Sequence, residues 1–312
     1  MSKQPILITG AHRSGSTWVG NIVAKAENIG YLHEPFNLNR PHCKKCNFKF
    51  RYWFEYIDSD NEEKYLHHLD HLLKFESYYD WTGVLGKERN LKRAYYEWLQ
   101  SRKLKLFKKR SARLVMKDPL ALMAASWLAE KFNMKTLVLI RHPAAFVSSL
   151  KRMNWTYPFD NLVKQQNLMA KHLSEFREQI IEFAETEKDI IDQGILMWNI
   201  LHKKINDYKE KHSEWLYIRH EDISRDPQTE FRNIFKHLEL DINDNIKEEI
   251  NKSSHSSNPA EAPSKKGKFI KRDSRANIYN WKKRLTDEEI KRIKDGTDKY
   301  ASYFYQQKDW NN

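Results

Sequence analysis

Residues 9–18, Thr-Gly-Ala-His-Arg-Ser-Gly-Ser-Thr-Trp, combine glycines, hydroxyls and one arginine at a spacing that suits an anion. Gly10, Gly15 and Thr17 fit the G-x-x-x-x-G-K-[ST] pattern of a nucleotide-phosphate loop, but Ser16 stands where the lysine belongs. In nucleoside-triphosphate enzymes that lysine reaches the β/γ-phosphates, and the Ser/Thr holds Mg²⁺. Here an arginine, Arg13, lies inside the loop instead. A guanidinium grips an oxyanion through two parallel N–H donors and needs no metal to do so. Ser14, Ser16 and Thr17 add hydroxyl donors, and a helix starting at the loop adds its first N–H groups and its dipole. The segment Leu-Val-Met-Lys-Asp-Pro offers Asp118 as a strand-end carboxylate, but Lys117 beside it competes with a cation. The pattern predicts a metal-free anion site clamped by Arg13. The plainer reading is a glycine turn that only starts a helix.

A second group with chemical potential is Cys43 and Cys46. Spaced C-x-x-C, with His33 and His42 nearby, they make half a zinc site. A structural zinc site needs a second pair of ligands, and the sequence holds no second C-x-x-C. Ordinary free thiols are expected.

The elements that position the loop follow from the apolar pattern. Pro-Ile-Leu-Ile-Thr is a short continuous apolar run, as in a strand covered on both faces. Residues 17–27 have helical spacing, and residues 29–35 are strand-like until Pro35 stops them. Strand, loop, helix and strand in that order imply a parallel sheet with a right-handed crossover. Residues 37–110 are rich in aromatics and charges and read as a helical insertion over the ligand edge of the sheet. Two more buried strands are expected at 112–118 and 136–142, with a helix between them, and a further strand at 214–223. Residues 251–285 hold a long polar, basic stretch, expected to cover the site. Thr286 and Glu289 form a capping box that starts a last helix. The expected architecture is a single α/β domain over residues 1–312, P-loop NTPase-like, with three layers and a central parallel sheet flanked by helices.

Composition bounds the function. A 312-residue chain with 40% hydrophobic residues and few Gly or Pro is globular rather than disordered or fibrous. Lys and Arg number 55 against 42 Asp and Glu, a formal charge of +13, which favours polyanions or merely keeps the surface solvated. No apolar run approaches the roughly 18 residues of a membrane span, and the first residues lack the apolar core of a leader. A cytoplasmic protein without a membrane span is expected.

The loop Arg13-Ser14-Gly15-Ser16-Thr17-Trp18 resembles the K/R-S-G-T-T-W phosphosulfate loop of the sulfotransferases, with Ser16 for Thr. That superfamily transfers a sulfuryl group from 3′-phosphoadenosine 5′-phosphosulfate (PAPS) to a hydroxyl or amine. The resemblance implies that Arg13 and the loop residues Ser14, Gly15, Ser16 and Thr17 bind the 5′-phosphosulfate. It implies that Trp18 stacks on the adenine, against the alternative of a core tryptophan. The family holds the 3′-phosphate with a strand-end arginine and a serine eight residues on, and Arg141 and Ser149 have that spacing. Residues 216–240 resemble the strand-and-helix module that follows, with Arg219, Glu221 and Asp222 read as mainly structural. Residues 271–293 resemble the family's C-terminal segment over the cofactor. There Lys271, Arg272 and Arg275 are the candidates for the 3′-phosphate, or a solvated basic run; the family's R-K-G signature is not intact.

The resemblance also frames the choice of base. The phenol and steroid branch uses a histidine in K-T-H-x-P, and here the stretch reads Met-Lys-Asp-Pro, so Lys117 survives and the histidine does not. The glycan- and tyrosyl-protein-modifying branches use a glutamate shortly after the first helix, which implies Glu34. Burial is expected to raise its pKa toward usefulness as a base. His33 is the rival, and strand alternation is expected to turn the two to opposite faces. A salt bridge to Arg13 or Lys117 is the purely structural reading of Glu34. Lys117 either neutralises the leaving phosphate or pairs with Asp118. The resemblance thus implies sulfuryl transfer from PAPS to a hydroxylated acceptor of carbohydrate class, with no nucleic acid and no metal expected. The competing readings are a Mg-ATP-dependent small-molecule kinase and a basic nucleic-acid-binding protein.

Overall fold

The computed structural model describes residues 4–39, 48–76, 91–261, 271 and 273–311. Cys43, Cys46 and Arg272 lie outside the described residues. Among these residues, strands β1 (Ile6–Gly10), β2 (Ile29–His33), β3 (Arg113–Lys117), β4 (Lys135–Ile140) and β5 (Leu216–Arg219) form one sheet. Its order is β2-β3-β1-β4-β5, and every neighbouring pair is parallel. This is the α/β, P-loop-like arrangement with a central parallel sheet.

Helix α1 (Ser16–Val23) leaves the loop after β1. Between β2 and β3 lie α2 (Glu63–Leu73) and α3 (Leu91–Lys109). A 3-10 turn at Pro119–Ala124 and α4 (Ala125–Lys131) connect β3 to β4. After β4 come α5 (Pro143–Met153), α6 (Asp160–Val163), α7 (Gln166–His172), α8 (Arg177–Glu185) and the long α9 (Ile190–Lys211). After β5 the chain forms α10 (His220–Arg225), α11 (Pro227–His237) and α12 (Asp244–Ser254). It ends in α13 (Ser274–Ile278), α14 (Asp287–Ala301) and α15 (Lys308–Asn311).

The strands are apolar throughout because helices cover both faces. Alternation sends Leu7, Met116 and Val138 into one cluster with Phe146 of α5, Trp198 of α9 and Ile293 of α14. It sends Ile6, Ile8 and Leu139 into the other, with Val19 of α1, Phe231 of α11 and Ile246 of α12. Each such buried side chain contributes about 1.5–3 kcal/mol. Two cores on one sheet fix the three layers.

Four expected strands end early; those over 112–118 and 136–142 stop at Lys117 and Ile140. The one expected over 214–223 stops at Arg219, because Arg219 closes back on Asp222 through two 2.7 Å bonds and α10 begins. The one expected through Pro35 stops at His33, and Glu34 turns left-handed at φ 52°. The capping box of Thr286 and Glu289 is present. Among the described residues no helix is long and apolar enough to cross a membrane.

Candidate active site

The loop that follows β1 begins with Gly10 at φ 128°, where a Cβ would lie 2.1 Å from the Leu139 carbonyl oxygen. Only glycine lets β1 run this close to β4 as it ends. Arg13 is left-handed at φ 66° and Gly15 at φ 85°. Gly15 is the cap of α1, and its carbonyl accepts the Trp18 N–H at 2.9 Å. A Cβ on Gly15 would sit 2.5 Å from His220 Nδ1, so the imidazole of α10 closes one side of the loop. No side chain caps α1, which leaves its first N–H groups to an anion.

Ser16, Thr17 and Trp18 line a cavity of about 600 Å³ at the carboxyl ends of the strands, together with Arg13 and Arg141. Ser14 is fully buried behind the loop, and its Oγ has no hydrogen-bond partner among the described residues. Arg13 Nε donates to Ser149 Oγ at 2.9 Å, and its guanidinium stands 5.2 Å from the Trp155 ring. Arg141, at the end of β4, donates to the Arg13 carbonyl oxygen. The two arginines and Ser149 are therefore one cluster, built across 136 residues of sequence. Trp18 lies at the wall with its Nε1 donating to Ser253 Oγ at 2.9 Å, and it packs edge-on against Phe231 at 5.3 Å. It thus belongs to a core cluster and to the cavity at once.

At the other side of the loop stands Glu34. The sheet places β3 between β1 and β2, so Glu34 reaches the loop through Lys117, the last residue of β3. Lys117 Nζ donates to Glu34 Oε1 at 2.5 Å and to Thr17 Oγ1 at 3.2 Å. The Lys117 side chain is fully buried, whereas that of Glu34 is 20% exposed. Lys117 does not pair with Asp118. The Asp118 carboxylate accepts the Phe36 and Leu120 N–H groups at 2.6 and 2.9 Å, and burial pushes its pKa up to about 7 against that pull. It is a turn-forming group.

The expected rise of the Glu34 pKa is not found. Burial pushes the carboxyl up, but the Lys117 ammonium outweighs it by charge and hydrogen bond, helped by His33 and Asn37. The net result lies well below the usual carboxylate range. The alternation argument also fails, because Glu34 is outside the strand. His33 Nε2 lies 3.9 Å from Glu34 Oε1, and its Nδ1 is 3.2 Å from the Tyr31 hydroxyl. Glu34 lines the cavity and His33 does not.

Two other imidazoles line the cavity, His220 and His12 of the loop itself. The first closes the loop beside Gly15; the second, His12, is enclosed by aromatic rings. It sits between Phe146 and Phe54, with ring centroids 4.8 and 5.5 Å away. Burial and then the Arg13 charge lower its pKa to about 3, so it is neutral. His220 and Asn277 add polar atoms to the lining, and Trp53, Trp155 and Tyr157 add aromatic rings, Trp155 beside the Arg13 guanidinium. No local motif marks these residues. Ser253 and Ser274 bring α12 and α13 to the wall. Arg275 points elsewhere: its Nε donates to the Arg225 carbonyl oxygen at 3.0 Å, and it does not line the cavity. Lys271 pairs with Glu249 at 2.9 Å. Among the described residues no group of three or more His, Cys, Asp or Glu could hold a metal ion.

An α/β sheet with an anion-binding loop at its carboxyl edge defines the class. The sequence profile of the sulfotransferase family matches residues 5–244, and the chain belongs to that family. No curated protein sequence matches it. The sulfotransferase domain from the curacin biosynthetic pathway is 16% identical, with a TM-score of 0.51, over 95% of this chain and 98% of that one. The sulfotransferase domain of the Synechococcus PCC 7002 olefin synthase is 15% identical, with a TM-score of 0.47, over 97% and 96%. Mouse sulfotransferase SULT7A1, solved with PAP, is 12% identical, with a TM-score of 0.44, over 96% and 85%. The family supports sulfuryl transfer as the reaction.

Proposed function

We propose that this protein transfers a sulfuryl group from PAPS to a hydroxyl acceptor, with Glu34 receiving the acceptor's proton. One observation carries the reading: Arg13, Arg141 and Glu34 line one cavity with the anion loop, and Lys117, buried behind it, links Glu34 to the loop through the 3.2 Å bond to Thr17. The residues fit the donor. Gly15 keeps the loop open at a position where a side chain would strike His220, and α1 offers uncapped N–H groups. The loop residues Ser14 to Thr17 and Arg13 would hold the 5′-phosphosulfate, Arg141 and Ser149 the 3′-phosphate, and Trp18 the base. Arg272 and Arg275 are proposed to close over the 3′-phosphate. For Arg275 this requires release of its bond to Arg225.

PAPS supplies an activated sulfuryl group; the chain's residues supply position and charge. Arg13 and the α1 N–H groups orient the anion. Lys117, beside Thr17, neutralises charge that develops on the leaving phosphate oxygen. Glu34 stays ionised beside Lys117, ready to accept a proton. A weakly basic carboxylate suffices when transfer is loose, as in phosphoryl chemistry, because the hydroxyl becomes strongly acidic only as its oxygen bonds to sulfur. His12 is neutral and flanks the loop without adding charge.

Support for the acceptor comes from the walls. The flat faces of Trp53, Trp155 and Tyr157 suit the apolar faces of a sugar ring, which favours a carbohydrate hydroxyl as acceptor. Arg13 and Arg141 are the cations among the described lining residues, and both serve the donor side. An uncharged sugar fits this lining better than an anionic one.

Calorimetric titration with adenosine 3′,5′-bisphosphate tests the reading. Tight binding without Mg²⁺, retained in Glu34→Gln and lost in Arg141→Ala, is expected. Binding of ATP that requires Mg²⁺, with no bisphosphate binding, supports the kinase instead.

A further inference from the structure

The basic excess of the chain is concentrated away from the cavity. Residues 91–110, Leu-Lys-Arg-Ala-Tyr-Tyr-Glu-Trp-Leu-Gln-Ser-Arg-Lys-Leu-Lys-Leu-Phe-Lys-Lys-Arg, hold eight Lys and Arg and one acidic residue. They form α3 and the residue after it. One side of this helix is anchored in the fold. Leu104 is buried, Phe107 packs on Phe75 at 5.3 Å, and Lys108 pairs with Glu76. The opposite side is apolar as well. Leu91, Tyr95, Leu99 and Leu106 are 74%, 62%, 40% and 49% exposed.

Those four residues fall on one stripe. At about 100° per residue, positions 91, 95, 99 and 106 span roughly 80° of the helix circumference. Lys103 lies on one flank of the stripe and Lys105 on the other, while Arg102 and the exposed Lys109 fall within it. Arg102 holds its guanidinium 4.9 Å from the Trp98 ring, and Tyr95 stacks on Trp98 at 5.8 Å. A helix that carries apolar residues on two sides has two surfaces to cover, and the described residues cover one.

We infer that α3 docks this protein onto an anionic lipid surface. The leucines and Tyr95 call for hydrocarbon, and the flanking cations call for negative charge. The interface of an anionic bilayer meets both demands at one depth, with Lys103 and Lys109 extended to the headgroups. A second copy meets the first demand only, since it sets one strongly basic helix against another. A nucleic acid meets the second only. The inference is independent of the donor and acceptor assigned above.

Flotation of the full-length protein with phosphatidylcholine vesicles, with and without phosphatidylserine, tests it. The protein floats with the phosphatidylserine vesicles at low salt, and added salt releases it. The Tyr95→Ser/Leu99→Ser/Leu106→Ser variant loses at least tenfold in binding with an unchanged melting midpoint, because the three positions are exposed. Lys103→Ala/Lys109→Ala loses roughly 25-fold, about fivefold for each cation removed. Lys291→Ala, an exposed cation on α14, binds as the wild type does. Three results overturn the inference: no flotation with phosphatidylserine at low salt, wild-type flotation by the triple serine variant, or an equal loss in Lys291→Ala. A wild-type dimer that the triple serine variant dissolves, without vesicle binding, assigns the stripe to a second copy instead.

Discussion

Replacing Glu34 by Gln isolates what the Lys117–Glu34 pair does. Lys117 is fully buried, and its ammonium donates to Glu34 at 2.5 Å. Removing one partner of a buried ion pair costs about 3–5 kcal/mol, because the other charge is left uncompensated. Glu34 is 20% exposed toward the cavity, and the glutamine oxygen still accepts a hydrogen bond, so about 2–3 kcal/mol is expected. In a chain of 312 residues this lowers the melting midpoint by about 3–5 °C. Removing both charges in Glu34→Gln/Lys117→Met restores most of that stability, because the penalty lies in the stranded charge. The pH dependence has a definite sign. The Glu34 pKa is held below its ordinary 4.5, so its contribution is complete above pH 4.5 and fades as the pH falls toward the lowered value. Thermal denaturation of the wild type, both single variants and the double variant at neutral pH completes the cycle. If Glu34→Gln melts with the wild type, or if the double variant is no more stable than Glu34→Gln, the pair is not the buried ion pair described here.

Other perturbations address the remaining parts of the site. Gly15→Ala places a methyl 2.5 Å from His220 Nδ1 at a left-handed φ of 85°; the conformation alone costs about 1–2 kcal/mol, read as a lower melting midpoint, and bisphosphate titration shows weakened binding. Arg13→Lys keeps the charge but loses the planar fork and the bond to Ser149, so bisphosphate affinity falls about tenfold in calorimetric titration. Asp118→Ala strands the buried Phe36 and Leu120 N–H groups, which costs about 1–3 kcal/mol each and is measured by denaturant unfolding. In steady-state kinetics the acid limb of kcat/KM assigned to Glu34 falls below pH 4.5, because Lys117 keeps that carboxylate ionised.

What was legible in the sequence was local. The loop at 10–18 follows from glycine spacing and a flanking apolar run, and Arg141 follows from its place at the end of another such run. Those patterns also give the parallel sheet. The partners that complete the site are remote: Trp18 meets Ser253 across 235 residues, and Lys117 meets Glu34 across 83. Periodicity carries no information on such pairs, so it leaves the Glu34–Lys117 and Lys117–Asp118 pairings equally open. The strand pattern runs on through Glu34 because glutamate gives no signal for a left-handed turn. Its lowered pKa follows from that turn and from β3 lying between β1 and β2. His12, Trp53 and Trp155 read as ordinary core or surface residues until the fold sets them around the loop.

Transfer of radiolabelled sulfate from PAPS to a panel of glycans, lipids and phenols tests the central claim most directly. Labelled product with at least one acceptor, formed by the wild type without added metal and abolished in Glu34→Gln, is the predicted result. Absence of labelled product from every acceptor, or undiminished turnover in Glu34→Gln, contradicts it.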